Sequence, residues 1–510
     1  MQRPDRTTIR DASVLFAVSL AVRGIARLLT GFDGLYGQDA FAYYGYALQL
    51  RTALAGLHPP PPFFWPVGYP ALVAAAMAVL GPLPLAGQLV STVAGATLAP
   101  LTYALVREVR RDARVGALGA GALMAVASQL LISSLSVMSD ASALAWLTLS
   151  AAALLRYTTR LERRWLALSA FAFGWAVLTR WACALAVAPW ALAAGVAWRA
   201  ARLPVRRVVG ATALAVALGA LVVGAQFGGD VGRPELSHLG EFKAVGWNAS
   251  NAFRSTAPSS DGLHRYRVPI GIYYALPVLH PAFVFPLLSP LLLLGTASLR
   301  TVPGSRTVLL LGWPLAVYGL LAGMALENPR FSLALYPPLV ALAGLGLQSA
   351  LELRGGQRWK AAVWVVFGLG VLGALAWSAR DLRRFVSVKN TAVDVSLWAQ
   401  RNVPPGAIML TFGLTSTVQH YTRLEGVELY NETPATLRER ACGRRTVYLL
   451  LDAANVAAQW SGLSPHANFI WLAEHAGLTD VGHNGVYTLW RVGDRCRPRD
   501  ATGPERDSGP

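Results

Sequence analysis

The chain has 510 residues, of which 54% are hydrophobic and only 14% charged, and its mean hydropathy is +0.42. This composition excludes a disordered chain, a coiled coil and an ordinary cytosolic enzyme, and it indicates a polytopic membrane protein. The net charge of +18 comes almost entirely from arginine, because only three of the 45 basic residues are lysines. Loops beside a membrane are rich in Lys and Arg, so this charge does not require a nucleic-acid partner.

Eleven apolar stretches are predicted to span the membrane, since a span needs about 20 mostly apolar residues. They are residues 12–29, 85–106, 115–135, 138–155, 165–178, 182–198, 208–227, 278–299, 307–326, 331–347 and 361–379. The first stretch has no cleavage site after it, which favours a retained signal anchor over a cleaved signal peptide.

Five clusters of basic residues between these spans predict their orientation, because Lys and Arg in short loops favour the cytoplasmic side. With a cytoplasmic N-terminus, all five clusters face the cytoplasm only if the short apolar stretch 66–80 does not cross. We therefore predict that residues 66–80 are re-entrant or interfacial and that the C-terminal part of the chain lies outside. The expected location is the inner (plasma) membrane of a bacterium.

The orientation leaves three regions on the outer side. They are the loops 30–80 and 228–277 of a transmembrane domain over residues 1–380, and a soluble region after residue 380. Within residues 381–493, strand-like runs at 408–412, 447–451 and 486–491 accompany helical runs at 393–400 and 469–476, which predicts a small extracytoplasmic α/β domain. Residues 494–510 have the composition of a disordered tail.

Acidic residues are rare before residue 380, and three of them lie near predicted outer span ends. Asp39 follows the first span, Asp140 begins the fourth, and Glu327 follows the ninth. Acids near a lipid boundary are costly unless they are paired or functional, so the three could converge on one pocket. Taken singly, each acid is better explained as a helix end in the headgroup zone, and Asp140 as an N-cap.

Short motifs carry a resemblance to a known family. In GQDAFAYYGYA (37–47), Asp39, Tyr43 and Ala47 have the spacing of the first outer loop of GT-C superfamily glycosyltransferases, although Ala40 stands where that family has a second acid. Further motifs resemble those of the same family and occur in the same order: HPPPP (58–62) with WPVGYP (65–70), VMSD (137–140), LTR (178–180) and RFSLALYPP (330–338). The likeness is to its protein mannosyltransferase and aminoarabinose transferase branches.

The resemblance implies a fold, an activity and a site. The fold is an all-α polytopic membrane bundle with a small extracytoplasmic α/β domain, and the activity is inverting transfer of a sugar from a polyprenyl phosphate to a hydroxyl acceptor on an envelope lipid, glycan or protein. It implies Asp39 as the catalytic base and Asp140 as its partner. It implies no cofactor, while the sequence leaves a need for a divalent metal open.

Elementary chemistry assigns further candidates. A growing phosphate charge needs guanidinium donors, which favours Arg180 and Arg330 at outer span ends. Lys243, Arg254, Arg265 and Arg267 in the long outer loop are alternatives. Tyr43, His58, Tyr69 and Glu327 are the expected substrate-loop residues. Two alternatives explain these arginines and aromatic residues equally well. The arginines at span ends extend into the lipid headgroups, and the aromatic residues form a belt at the membrane interface.

Other functions stay open at this stage. A secondary transporter or flippase of a lipid-linked sugar is disfavoured because the acids cluster toward one face and no internal repeat is evident. A polysaccharide ligase or polymerase, and a non-catalytic family member, also remain. The fingerprint GLGVLG (368–373) lies inside a span without a preceding strand, which favours a packing role. Cys442 and Cys496 could form a disulfide or remain two thiols.

Overall fold

The computed structural model describes residues 6–227, 246–259 and 261–493. The chain divides into two compact units, Met1–Ser255 with Tyr266–Val386, and Thr256–Arg265 with Ser387–Pro510. Lys243 and the adjoining part of the long loop (228–245), the predicted tail (494–510) and Cys496 lie outside the described residues. Whether Cys442 pairs with Cys496 or both remain thiols is therefore left as the sequence left it.

The first unit is a bundle of α-helices. In chain order these are α1 (Arg6–Thr30), α2 (Gly37–Ala55), α3 (Gly68–Leu80), α4 (Pro84–Val109), α5 (Arg114–Val126), α6 (Ser128–Leu135), α7 (Asp140–Arg160), α8 (Arg163–Thr179), α9 (Val187–Ala200), α10 (Val205–Phe227), α11 (Ile270–Ala275), α12 (Ser289–Ser298), α13 (Gly304–Gly323), α14 (Tyr336–Glu352) and α15 (Gln357–Arg401). Short 3-10 helices at Trp181–Ala186 and Phe331–Leu335 precede α9 and α14.

Within the described residues, seven helices are long and apolar enough to cross a membrane. They correspond to the predicted spans that begin at residues 12, 85, 182, 208, 307, 331 and 361. An eighth, 115–135, is broken into α5 and α6, which are bent by 56°. The predicted span 138–155 is α7, and 165–178 is α8, which has 17 residues. The stretch 66–80 is α3, whose 13 residues are too few to span a bilayer.

The prediction of one continuous span at 278–299 is wrong. This stretch contains the end of the 3-10 helix Leu276–Val278, a second 3-10 helix at Pro286–Leu288, and α12 from Ser289. Pro281, Pro286 and Pro290 lack the amide N–H that a helix interior needs, so an apolar composition here does not produce a continuous helix.

The break between α5 and α6 frees backbone carbonyls inside the bundle, and side chains of other helices bind them. Tyr336 Oη donates to the carbonyl of Leu123 (3.2 Å), and Arg23 Nη1 donates to that of Ala125 (3.4 Å). Ser378 Oγ donates to the carbonyl of Val126 (2.5 Å). An unpaired carbonyl in a membrane interior costs several kcal/mol, so these contacts stabilise the bend.

Ion pairs connect several of the basic clusters that were predicted to face the cytoplasm. Arg110 pairs with Glu352 (2.7 Å), and Arg114 pairs with Asp11 (2.7 Å). The start of α1, the junction of α4 with α5, and the end of α14 therefore lie at one end of the bundle. This grouping is the one that the predicted orientation requires.

The second unit contains a five-stranded sheet of order β4-β3-β5-β7-β6. A separate hairpin pairs β1 (Thr256–Ser259) with β2 (Gly262–Arg265). The sheet strands are β3 (Ile408–Thr411), β4 (Glu425–Glu428), β5 (Val447–Leu451), β6 (Leu478–Asn484) and β7 (Tyr487–Val492); the helices are α16 (Thr415–Tyr421), α17 (Pro434–Ala441), α18 (Ala453–Gln459) and α19 (Ser464–Trp471). Strands β3, β4 and β5 are parallel, whereas β6 and β7 are antiparallel to their neighbours.

The sheet confirms the predicted small α/β domain, with strands at the three expected places. Two details differ from the sequence interpretation. Helix α15 runs through residue 381 to Arg401, and the two units divide between Val386 and Ser387. The hairpin 256–265, which belongs to the long outer loop in sequence, is part of the second unit, where Gln459 Nε2 donates to the carbonyl of Asp261 (2.7 Å).

Candidate functional site

Four charged side chains from distant parts of the first unit meet in one cluster. Arg330 contacts both acids, with Nη2 at 2.6 Å from Asp39 Oδ2 and Nε at 3.2 Å from Asp140 Oδ2. Arg180 Nη1 donates to the other carboxylate oxygen of Asp140. These four residues were the predicted acids and phosphate-binding arginines, and we call them the charged cluster.

Each member of the charged cluster stands at a helix end. Asp39 lies in the first turn of α2, and Asp140 is the first residue of α7. Arg180 directly follows α8, and Arg330 directly precedes the 3-10 helix Phe331–Leu335. Asp39 and Asp140 thus lie at helix N-termini, which carry a partial positive charge, and Arg180 lies at a helix C-terminus, which carries a partial negative charge.

The two acids differ in exposure and in partners. The side chain of Asp140 is 3% exposed and pairs with both arginines, whereas that of Asp39 is 30% exposed and, among the described residues, pairs with Arg330 and not with Arg180. Asp39 is therefore the carboxylate that a substrate reaches more easily. Asp140 is the one that holds the two guanidiniums together.

Electrostatics keep Arg330 charged. Burial alone would lower the pKa of Arg330, but the negative charges of Asp140 and Asp39 and the hydrogen bond to Asp39 outweigh it and raise that pKa. Both guanidiniums also lie near the ring of Phe331, at 5.5 Å for Arg180 and 5.7 Å for Arg330. The ring adds a cation–π attraction to the same two charges.

Aromatic side chains pack beside the charged cluster. Tyr43 Oη lies 3.1 Å from the hydroxyl of Ser139, the residue before Asp140. The Tyr43 ring has its centroid 5.3 Å from both the Trp65 and the Tyr69 rings. Tyr69 Oη in turn lies 2.7 Å from Ser91 Oγ. The first outer loop and α3 thus supply an aromatic wall close to Asp140.

Two predicted substrate-loop residues lie apart from these contacts. In the part of the chain that the structure describes, no hydrogen bond or ion pair joins Glu327 or His58 to the charged cluster. Burial raises the pKa of Glu327 to about 7. His58 is exposed, and its ring lies over Gly56. Arg254, Arg265 and Arg267 are exposed and make no ion pair within residues 246–259 and 261–493.

The sequence interpretation missed the polar residues that hold the acidic segments. Ser139 contacts Tyr43. Met138 contacts Arg330, whose Nη1 lies 3.9 Å from the Met138 sulfur. Gln88 binds the backbone before both acids. The available signal was a glutamine near the start of α4, a helix that is apolar on average. Among the described residues, no three His, Cys, Asp or Glu side chains group as metal ligands.

Comparisons with known proteins concern the fold of the chain. A family model described as dolichyl-phosphate-mannose-protein mannosyltransferase matches residues 86–223. The structure is similar to that of ArnT from Cupriavidus metallidurans in the apo state, with a TM-score of 0.64 and 13% identity over 95% of this chain and 98% of that one. The same protein bound to undecaprenyl phosphate gives a TM-score of 0.59 at 13% identity, covering 96% and 98% of the two chains.

A second similar structure is the oligosaccharyltransferase of Archaeoglobus fulgidus in its apo form. Its TM-score is 0.61 at 11% identity, over 96% of this chain and 75% of that one. A search of curated protein sequences gives no significant match. The matched structures confirm the predicted resemblance: the chain has the GT-C fold of membrane glycosyltransferases, a helical membrane bundle followed by a smaller domain with a sheet.

Proposed function

We propose that this chain is an inverting glycosyltransferase that moves a sugar from a polyprenyl phosphate to a hydroxyl acceptor. The observation that carries the proposal is the charged cluster, in which two carboxylates and two guanidiniums from four separate segments meet. The GT-C fold supports it, because the similar ArnT structure is described as bound to undecaprenyl phosphate. Sugar and acceptor, whether envelope lipid, glycan or protein, are left unassigned.

In this proposal Asp39 is the general base. The acceptor oxygen attacks the anomeric carbon, its proton passes to the Asp39 carboxylate, and the bond from that carbon to the phosphate oxygen breaks. The leaving group is the polyprenyl phosphate, which takes the bonding electron pair. Attack from the face opposite the phosphate inverts the anomeric centre. The greater exposure of Asp39 supports this assignment over Asp140.

Arg180 and Arg330 are proposed to bind the phosphate, with Asp140 holding them in place. Guanidiniums suit this role because they present several donors in a plane, and stabilisation of a developing charge is commonly the largest catalytic contribution. The formal charge of the four side chains is balanced. When Asp39 accepts a proton it loses its negative charge as the phosphate gains one, so the total charge of the loaded site stays constant through the step.

The neighbouring aromatic residues are proposed to shape the substrate site. Trp65 is half-buried and is proposed to stack on a sugar ring, whereas Tyr43 and Tyr69 are buried and are proposed to hold the Trp65 ring and the substrate loop in place. Glu327 is kept as a substrate-loop candidate because it precedes Arg330 by three residues, whereas the exposed position of His58 supports no role. The site is placed at the outer face of a bacterial inner membrane, with a cytoplasmic N-terminus and the second unit outside, on the strength of the basic clusters.

The experiment compares Asp39→Asn with Asp33→Asn. Asp33 lies in the same loop, and its carboxylate accepts a hydrogen bond from the amide of Leu35 (3.2 Å), so it serves as a matched control. Purified protein is given undecaprenyl-phosphate-linked hexoses and pentoses with an envelope fraction as acceptor, and the released undecaprenyl phosphate is measured. We expect Asp39→Asn to insert normally and lose transfer, and Asp33→Asn to keep it.

Two outcomes would contradict the proposal. One is transfer by Asp39→Asn at the rate of the unaltered protein. The other is a correctly inserted, unaltered protein that releases undecaprenyl phosphate from none of these donors, or that carries the intact donor across a vesicle membrane instead.

A further inference from the structure

One face of α4 carries buried polar side chains although the helix is apolar overall. Gln88, Ser91 and Thr92 are at most 5% exposed, and their spacing places them on the same side of the helix. All three donate hydrogen bonds to the backbone of residues 134–138, which connects α6 to Asp140. A polar face of this kind is costly in a membrane helix unless every group finds a partner.

Gln88 connects the two acidic segments directly. Its amide nitrogen donates to the carbonyl of Phe32 (2.8 Å) and to the carbonyl of Leu135 (3.0 Å). Its amide oxygen accepts from Nε of Arg27 (2.6 Å). Phe32 lies between α1 and α2, shortly before Asp39, and Leu135 lies five residues before Asp140. One side chain therefore binds the backbone upstream of both carboxylates.

These carbonyls need an outside donor because of their place in the chain. Leu135 is the last residue of α6. The residues after it are not helical, so the amide four positions later does not reach the Leu135 carbonyl, and this carbonyl has no partner within the helix. Phe32 lies in the irregular segment after α1 and is 1% exposed. Gln88 satisfies both groups with one amide, a geometry that a hydroxyl or a carboxylate cannot reproduce.

A backbone contact completes the junction. The amide of Val137 donates to the carbonyl of Gly34 (2.8 Å). Gly34 has a φ of +93°, which disfavours other residues, and a Cβ there would lie 3.1 Å from a methyl group of Val137. The two segments thus approach at van der Waals distance, and Gln88 lies beside the point where they meet.

We propose that Gln88 is a positioning residue that sets the distance between Asp39 and Asp140, and through them the placement of Arg330. This inference rests on the proposed sugar transfer. Arg330 contacts both acids, so a shift of one acidic segment against the other changes the position of the guanidinium relative to the base. Misplacement of a catalytic group by about 1 Å can lower a rate by roughly 100-fold.

The test is Gln88→Glu, with Thr102→Val as the matched control. Glutamate keeps the size of the side chain and an acceptor for Arg27, but it replaces the two N–H donors with an oxygen that repels the carbonyls of Phe32 and Leu135. Thr102 lies on the same helix, is fully buried, and its hydroxyl has no hydrogen-bond partner among the described residues. We expect Gln88→Glu to lower kcat about 100-fold while KM for the undecaprenyl-phosphate-linked donor changes less than threefold. Thr102→Val is expected to change neither.

A second readout follows the junction itself. Hydrogen–deuterium exchange of peptides covering residues 134–140 reports the Val137 amide, and we expect faster exchange there in Gln88→Glu than in Thr102→Val. If Gln88→Glu does not fold, Thr92→Val replaces it, because it keeps the shape of the side chain and removes the bond from the Thr92 hydroxyl to the Ser134 carbonyl (3.0 Å). The milder variant is expected to give a smaller loss of kcat with the same faster exchange.

The proposal is overturned if Gln88→Glu turns over within twofold of the unaltered protein, or if it loses kcat with unchanged exchange at residues 134–140. An equal loss in Thr102→Val would also overturn it. The two proposals fail separately: transfer by Asp39→Asn removes the proposed function, whereas an inactive Asp39→Asn beside a fully active Gln88→Glu removes only the positioning role.

Discussion

Replacing Arg330 with glutamine removes a guanidinium that contacts both acids of the charged cluster. The guanidinium lies 2.6 Å from an Asp39 oxygen and 3.2 Å from an Asp140 oxygen. Arg330→Gln leaves two carboxylates beside the single guanidinium of Arg180, so the cluster acquires a net negative charge. Asp140 is 3% exposed and cannot move its charge into water.

The expected cost follows from the burial of each partner. Removing one member of a buried ion pair destabilises a protein by about 3–5 kcal/mol, and the retained contact with Arg180 places Arg330→Gln near the lower limit, at about 3 kcal/mol. Asp39 is more exposed, so Asp39→Asn alone should cost about 1 kcal/mol or less. In the double variant the repulsion between the two acids is gone, and we expect a total about 1 kcal/mol smaller than the sum of the single changes.

The free energy of unfolding is measured for the four proteins of this double-mutant cycle by SDS titration in micelles. Glu425→Gln in the second unit is the control, because its pair with Arg445 has exposures of 50% and 48%. An exposed pair contributes less than about 1 kcal/mol. The reasoning is refuted if Arg330→Gln costs no more than Glu425→Gln, or if the two changes at Asp39 and Arg330 are additive.

Two further changes test the loop after α13 and the bend in the bundle. Burial raises the pKa of Glu327 from 4.5 to about 7, so the folded state holds this proton more tightly and loses stability as the pH rises through that range. Glu327→Gln does not titrate, and its melting temperature relative to the unaltered protein should rise from pH 5 to pH 8; a difference that is the same at both pH values contradicts this. Tyr336→Phe leaves the buried carbonyl of Leu123 without its donor and should lower the free energy of unfolding by about 1–3 kcal/mol in the same SDS titration. An unchanged titration would show that the bend does not need this hydroxyl.

The charged residues of the cluster could be found from sequence because each follows or precedes an apolar stretch. Hydropathy places Asp39, Asp140, Arg180 and Arg330 at span ends, and the basic clusters place those ends on one side. Their mutual contacts could not be predicted in the same way. Spans that are distant in sequence become neighbours through helix packing, which the apolar pattern of each span does not encode.

The errors have physical causes in particular residues. The mean hydropathy of residues 278–299 is insensitive to Pro281, Pro286 and Pro290, each of which lacks the amide N–H that a helix interior needs. The stretch was therefore predicted to be a single span. The sequence of the hairpin at 256–265 does not indicate that it belongs to the second unit, because that assignment depends on distant contacts such as the one between Asp261 and Gln459, which lies 198 positions later.

Gln88 illustrates a different limit. Its amide nitrogen donates to the backbone carbonyls of Phe32 and Leu135. The sequence does not show which backbone carbonyls lack a partner within their own helix. Only the ends of α1 and α6, as the structure has them, show which carbonyls need a donor. A buried glutamine in an apolar helix indicates that some partner exists, but it does not identify the partner.

The most direct test of the central claim is the turnover number of Asp39→Asn relative to the unaltered protein, measured as undecaprenyl phosphate released per enzyme at saturating donor. A positioned general base contributes about 100- to 10,000-fold, so the account predicts a loss in that range with the charged cluster otherwise folded. Turnover by Asp39→Asn within threefold of the unaltered protein would contradict it.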